Sequence, residues 1–294
     1  MLELHEVSKR FGDLTAVDSV SFAVRPGVMT GFIGANGAGK TTTMRIVLGV
    51  LAADHGTLRW KGSELDADAR RGFGYMPEER GLYPKMGVLD QLVFLARLHG
   101  ISPDVARLRG GDLLTELGLG DRTATAVEKL SLGNQQRAQI AAALVHDPEL
   151  LVLDEPFSGL DPVAVDVMAG MLRRRAAEGA AVLFSSHQLD LVERLCDDVV
   201  IIDAGRVVAA GPSATLREER AGARYRLTLG ADPGWLRDEP GVTVLEVHGG
   251  RVLVELAEPA DDQRLLHRAL DHGPVRGFAR AVPTLAEIFR EAVR

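Results

Sequence analysis

The chain has 294 residues, 46% of them hydrophobic, enough for a large core, and its length predicts two domains. A net charge of −7 and a pI near 5.7 lack the basic footprint of a general nucleic-acid binder. Cys196 is the only cysteine, which excludes an internal disulfide and fits a reducing compartment. The opening Met-Leu-Glu-Leu-His-Glu is acidic and strand-like and does not read as a signal peptide. No apolar run approaches the ~18 residues needed to cross a bilayer, so any membrane part of the system is expected on another chain.

In chain order, Leu2 to Val7, Ser19 to Val24 and Val28 to Ile33 read as strands. The third runs into Gly34-Ala35-Asn36-Gly37-Ala38-Gly39-Lys40-Thr41-Thr42, and a helix is predicted from Lys40 to Val50. Strand, glycine-rich turn and helix form a phosphate-binding loop. Gly34, Gly37 and Gly39 let backbone N–H groups approach an anion, and the helix start adds its positive end. Lys40 can reach β- and γ-phosphates, and the Thr41 hydroxyl can ligate Mg²⁺. Apolar residues at helical spacing mark Val88 to Leu98, Leu113 to Leu117 and Gln135 to Leu144.

From 146 to 212, strand and helix alternate: Leu150–Leu153, Val163–Glu178, Ala181–Ser185, Leu189–Leu195, Val199–Asp203 and Arg206–Ala210. Such alternation indicates a parallel, doubly wound sheet. The Leu150–Leu153 strand ends in Asp154, which can hold Mg²⁺ beside the loop, and in Glu155, which can deprotonate a water. Histidines elsewhere show no metal-ligand spacing, so no zinc site is expected. Composition breaks at Gly211-Pro212 and again at 220–223. Beyond them, strands at Tyr225–Leu229, Val242–Val247 and Arg251–Leu256, a helix at Asp261–Asp271, a strand at Val275–Ala279 and a helix at Pro283–Val293 give βββαβα. That pattern suggests a small split βαβ-type domain without chemistry of its own.

Together these runs resemble the nucleotide-binding subunits of ABC transporters over residues 1 to about 219. Gly34 to Thr42 match the Walker A loop, Leu130 to Gln136 the signature loop and Leu150 to Asp154 Walker B. The resemblance implies an α/β P-loop NTPase fold, an ABC ATPase cassette with antiparallel β and helical subdomains in 1–219. A small α+β regulatory or interaction domain follows in 222–294. It implies that Phe11 and Val17 lie at the adenine and that Gly34, Ala35, Asn36, Gly37, Ala38, Gly39, Lys40, Thr41 and Thr42 hold the phosphates. It makes Glu155 and His187 catalytic, and Thr41, Glu78 and Asp154 metal ligands. Ser131, Gly133 and Asn134 of the signature loop would meet nucleotide held by a second subunit, and Asp161, matching the D-loop, joins the nucleotide-binding residues.

The sequence departs from the family pattern at three positions. Glu78 replaces the Q-loop glutamine, Leu132 a signature glycine, and Asn134 a glutamine. The run Glu78-Glu-Arg-Gly-Leu-Tyr83 and the appended domain resemble bacterial exporters of the sodium-efflux and drug-resistance type. The implied protein uses ATP and Mg²⁺, pairs as a homodimer or with another cassette, and docks through residues 78–100 on a polytopic permease. That places it in the cytoplasm, peripheral to the membrane, with no nucleic-acid partner. Two other readings stand beside it. One is a soluble ATPase of DNA repair or translation, disfavoured by about ninety residues without heptads between loop and signature and by a single cassette. The other is an ATP sensor that does not hydrolyse.

Overall fold

The computed structural model describes residues 1–292 apart from Arg80, Glu258 and Ala260. The chain divides into two units, Met1–Pro212 and Ser213–Arg294.

In the first unit, β1 (Leu2–Phe11), β2 (Leu14–Val24), β4 (His55–Trp60) and β5 (Ser63–Glu64) form an antiparallel sheet in the order β2-β1-β4-β5. Register shifts between Leu4 and Arg10 break the apolar alternation of β1, so β1 and β2 run longer than their pattern suggests. A second sheet takes β3 (Met29–Ile33), β6 (Phe73–Met76), β7 (Leu150–Leu153), β8 (Ala181–Ser186), β9 (Asp198–Asp203) and β10 (Arg206–Pro212) in the order β10-β9-β3-β8-β7-β6. Every residue of β3, β7 and β8 is buried, as expected where helices cover both faces of a parallel sheet. Only β10 runs antiparallel. It returns through Ala204-Gly205, both at positive φ (45° and 82°), the geometry of a two-residue hairpin turn. The alternating strand–helix reading from sequence did not anticipate this reversal.

The helices of this unit are α1 (Lys40–Val47), α2 (Ala67–Arg70), α3 (Val88–Leu98), α4 (Pro103–Glu116), α5 (Leu132–Leu144), α6 (Pro162–Ala177) and α7 (Leu189–Leu195). Helix α1 stops three residues before the sequence-based end. Gly49 takes φ +74°, and the N–H groups of Gly49 and Val50 donate to Ile46 O and Arg45 O, a Schellman closure. Helix α4 is longer than expected because Pro103 opens it behind Ser102. Gly110 lets it approach α3, where a Cβ would lie 3.0 Å from Leu89.

The second unit begins with α8 (Ser213–Glu219), directly after the first composition break at Gly211-Pro212, whereas the domain bounds carried over with the resemblance, 1–219 and 222–294, put this helix in the first domain. Helix α8 belongs there because Arg217 Nε donates to Pro283 O at 2.8 Å. Strands β11 (Arg224–Leu229), β12 (Val242–His248), β13 (Arg251–Leu256) and β14 (Val275–Arg280) form an antiparallel sheet, β12-β13-β11-β14. Since β13 and β14 both run against the intervening β11, α9 (Asp262–His272) joins two parallel strands, a split βαβ unit. Leu227, Val252, Val254 and Leu265 centre its own core. Helix α10 (Leu285–Ala292) starts two residues after Pro283, because Thr284 and Glu287 cap it reciprocally. Val293, read as its last residue, lies outside the described residues.

At the base of the helical region, His99 and His146 stack with ring centroids 3.7 Å apart. Burial pushes His146 down to about 4, the His99 charge adds to this, and a bond to Phe73 O opposes it. The unfolded chain binds this proton near pH 6.5, the folded chain only near 4. Stability is therefore full above pH 6.5 and falls as pH drops toward 4, by up to about 2 kcal/mol after solvent screening. His146→Phe is expected to keep the stack and flatten that part of the profile, read as the difference in denaturant midpoint between pH 7 and pH 5. A fragment ending at Pro212 is expected to melt cooperatively, because the first unit holds a complete core of its own. A non-cooperative melt by circular dichroism would contradict that.

Candidate nucleotide site

The carboxyl ends of β3, β6 and β7 open onto a cleft of about 350 Å³. Three groups line it. Phe11, Leu14 and Ala16 come from the β1–β2 hairpin; Asn36, Gly37 and Gly39 to Thr42 from the loop and α1; Glu78, Asp154 and Glu155 from the ends of β6 and β7. The loop needs its glycines. Gly37 and Gly39 sit at φ +80° and +106°, and a Cβ on Gly39 would meet Ala16 O at 2.5 Å. Helix α1 begins at Lys40 with no acidic residue in its first turn, so its N–H groups face the cleft undiminished. Lys40 is buried, and its Nζ donates to Gly34 O at 2.7 Å and Ala35 O at 3.2 Å.

The acidic side is held by a short hydrogen-bonded chain. Ser185 Oγ donates to Asp154 Oδ1 at 2.5 Å and accepts from Glu155 N at 2.8 Å. Glu155 takes φ +49°, rare for a residue with a side chain. Its Oε1 lies 3.0 Å from His187 Nδ1, and its carbonyl accepts from Gln136 Nε2 at 3.1 Å. Burial pushes the Tyr75 phenol up, and the Asp154 charge adds to it.

The residues fit a magnesium ion. Asp154 is 1% exposed, and its Oδ2 has no hydrogen-bond partner among the described residues. That oxygen, the Thr41 hydroxyl and Glu78 are hard oxygen donors in one cleft, leaving the remaining positions to phosphate oxygens and water, as Mg²⁺ prefers. Three carboxylates and one lysine line the cleft, so a polyphosphate enters favourably only with a divalent cation.

Not every residue read from sequence lines this cleft. Val17 is fully buried in the core behind β2; alternation along the strand turns Ala16 to the cleft instead. Gly34, Ala35 and Ala38 shape the loop without lining it: a Cβ on Gly34 would strike Ile202 O at 2.6 Å, and Ala38 is buried. Ser131, Gly133, Asn134 and Asp161 lie away from it. Ser131 caps α5 through Asn134 N at 3.4 Å, and Asp161 caps α6 through Ala164 N at 2.9 Å. Gly133 faces Leu160, so signature and D-loop segments adjoin. Arg80, within the Glu78–Tyr83 run, lies outside the described residues. Sequence reasoning missed Leu14, Ala16 and Ser185. The last leaves one signal, the first of two serines ending an otherwise apolar strand.

Residues 17–158 match the family model described as ABC transporter, and residues 211–293 match the C-terminal domain of DrrA1-3-like ATP-binding proteins. Over its whole length the chain is 39% identical to an uncharacterized ABC transporter ATP-binding protein of Bacillus subtilis (strain 168), covering 98% of that protein. The chain belongs to the ABC transporter ATP-binding proteins. It is 38% identical to the Nod factor export ATP-binding protein I of Burkholderia orbicola (strain AU 1054), over 81% of this chain and 79% of that one. A solved ATP-binding subunit of an ABC transporter superposes with a TM-score of 0.69 at 34% identity, over 74% of this chain and 92% of that one. A cassette solved in its ADP conformation follows at 26% identity, TM-score 0.64, over 72% of this chain and 91% of that one. As an ABC ATP-binding subunit the chain binds ATP with Mg²⁺ and hydrolyses it to power transport, and the repair, translation and sensor readings give way. Among the described residues, no helix is long and apolar enough to cross a membrane.

Gly39→Ala tests the loop. A Cβ at φ +106° against Ala16 O is expected to distort the turn and lower ATP affinity at least tenfold, by calorimetry, while far-ultraviolet circular dichroism stays unchanged.

Proposed function

We propose that this ABC ATP-binding protein is the motor of an exporter, working as a pair of cassettes on a polytopic permease at the inner face of the cell membrane. One observation carries the pairing. The cleft holds Lys40, Thr41, Asp154 and Glu155, but Ser131, Gly133 and Asn134 lie outside it at the start of α5. That helix start offers N–H groups to an anion without a phosphate loop of its own chain against it. A second subunit related by two-fold symmetry would supply the facing nucleotide, and the exchange is reciprocal.

Export is supported by the relative named for Nod factor export and by the match to a DrrA1-3-like C-terminal domain. Tyr83, Phe94 and Leu98, at or near α3, are exposed apolar side chains within the segment read as the permease contact. They suit apolar cytoplasmic helices of a permease.

In this reading Phe11 stacks on the base, the loop amides and Lys40 bind the β- and γ-phosphates, and Thr41, Asp154 and Glu78 hold Mg²⁺. The metal, when bound, neutralises phosphate charge and orients the γ-phosphoryl group. Glu155 orients the attacking water and takes its proton, and His187 holds the Glu155 carboxylate toward the γ-phosphate side. The Ser131 hydroxyl and the Gly133 amide of the facing subunit complete the enclosure.

Glu155→Gln is expected to bind ATP while hydrolysis falls by roughly 10²-fold or more, the range for loss of a general base, and an ATP-trapped dimer should sediment. Adding Ser131→Arg should spare ATP binding by the monomer and abolish the dimer. An undiminished dimer would refute the two-subunit site; loss of ATP affinity in the monomer would place the signature loop in cis.

A further inference from the structure

Two adjacent carboxylates at one strand end face a physical problem. Asp154 and Glu155 carry like charge, yet the proposed reaction asks one to bind metal and the other to handle water. A strand left to itself alternates its side chains but does not fix which carboxylate oxygen turns to the cleft. From the geometry we infer that Ser185 is the positioning residue that gives Asp154 and Glu155 their separate roles. The inference rests on the ATPase reading above.

The register supplies the contact. Leu153 pairs with Phe184 in the parallel β7–β8 ladder, so the next residues, Asp154 and Ser185, arrive side by side. Ser185 is fully buried. Its single hydroxyl serves both residues: the proton goes to Asp154 Oδ1 at 2.5 Å, and a lone pair takes the Glu155 N–H at 2.8 Å. On the opposite side Asp154 N donates to Met76 O at 2.8 Å. Asp154 is thus gripped by both neighbouring strands. With Oδ1 occupied, Oδ2 is the oxygen left without a partner among the described residues, and it belongs to a residue lining the cleft with Thr41.

The second bond acts on the backbone. Glu155 stands at φ +49°, a conformation that persists only when the surroundings over-determine it. Its N–H, turned off the strand ladder, is the group Ser185 receives. That turn ends β7 and sends the Glu155 side chain toward His187. One hydroxyl therefore orients a metal ligand through its side chain and a base through its backbone. Alanine at 185 would leave the Glu155 N–H and Asp154 Oδ1 buried without this partner, and Asp154 free to rotate between its two oxygens.

The experiment uses the full chain with Ser185→Ala and the hydroxyl-preserving Ser185→Thr, alongside Asp154→Asn and Glu155→Gln. ATP affinity is measured by calorimetry with Mg²⁺ and with EDTA, and turnover is followed over a Mg²⁺ titration. For Ser185→Ala the Mg²⁺ concentration for half-maximal turnover should rise at least tenfold. The gain in ATP affinity from Mg²⁺ should shrink, kcat should fall ten- to a hundredfold, and affinity in EDTA should stay within twofold. Ser185→Thr should restore both Mg²⁺ readouts. Wild-type Mg²⁺ dependence in Ser185→Ala, with Asp154→Asn and Glu155→Gln inactive, would overturn the role of Ser185 and leave the ATPase reading standing. Equal loss of affinity with and without Mg²⁺, unrescued by threonine, would make Ser185 a core residue only and also overturn it. Retained turnover in Glu155→Gln would instead overturn the reading on which the inference rests.

Discussion

The site depends on the in-register parallel pairing of β3, β8 and β7. Ile33 lies beside Ser186 and Leu153 beside Phe184, so β3 and β8 end at one level and β7 two residues short of it, a gap that Asp154 and Glu155 fill. Whatever follows each strand must then arrive at the same edge: the phosphate loop after β3, Asp154 and Glu155 after β7, His187 after β8. The pairing is strongly specified because every residue of these strands is buried. A one-residue slip would set each apolar side chain into packing shaped for its neighbour and separate loop from carboxylates. Burial of the sheet is thus what aligns the chemistry.

That alignment concentrates charge of one sign. Two unit charges at 4 Å interact by about 4 kcal/mol at an effective dielectric of 20, so carboxylates at one strand end repel on that scale unless they are turned apart or bound. The chain does both. Glu155 is rotated at its backbone toward His187, and Asp154 spends one oxygen on Ser185 while the other has no partner among the described residues. Lys40, the cation lining the cleft, is meanwhile held against the loop carbonyls. A triphosphate entering this cleft would meet the loop amides and Lys40, and Thr41 and Asp154 would be the residues left to hold its divalent cation.

Much of this was legible in the residues because the chemistry is local. A glycine-rich turn between a buried strand and a helix needs no tertiary information to be recognised, and neither does an apolar strand ending in two carboxylates. What escaped depended on partners distant in sequence. Val17 and Ala16 differ only in which side of β2 they face, and the register shifts of β1 against β2 decide that. Ser185 acquires its meaning from β7, about thirty residues away. The end of α1 was set by Gly49, a glycine inside an apolar run, and α4 lost its periodic signal to Gly110 and Gly111. The direction of β10 hung on one two-residue turn at Ala204-Gly205. Helix α8 lies between the two composition breaks, and the bond that seats it, from Arg217 Nε to Pro283 O, spans 66 residues.

Helix α5 ties these parts together. Gln136 and Gln139 are three residues apart and so share a face. Gln136 Nε2 donates to the carbonyls of Glu155 and Pro156, and Gln139 Nε2 to the carbonyl of Glu79. One helix therefore grips both the segment after β7 and the segment after β6, next to the cleft residues Glu155 and Glu78. Its C-terminal half is seated on β6, where Gly74 leaves no room for a Cβ, 2.3 Å from Ala143 O. Its N-terminal end carries Ser131, Gly133 and the exposed Leu132. Gln139 is buried, so breaking its bond would strand another polar group beside its Oε1, which has no partner among the described residues. The backbone after β6 and after β7 is thus tied by partly buried hydrogen bonds to the same helix whose start carries Ser131. The three family departures follow the same division: Glu78 at the cleft, Leu132 and Asn134 at the far end of the helix that connects to it.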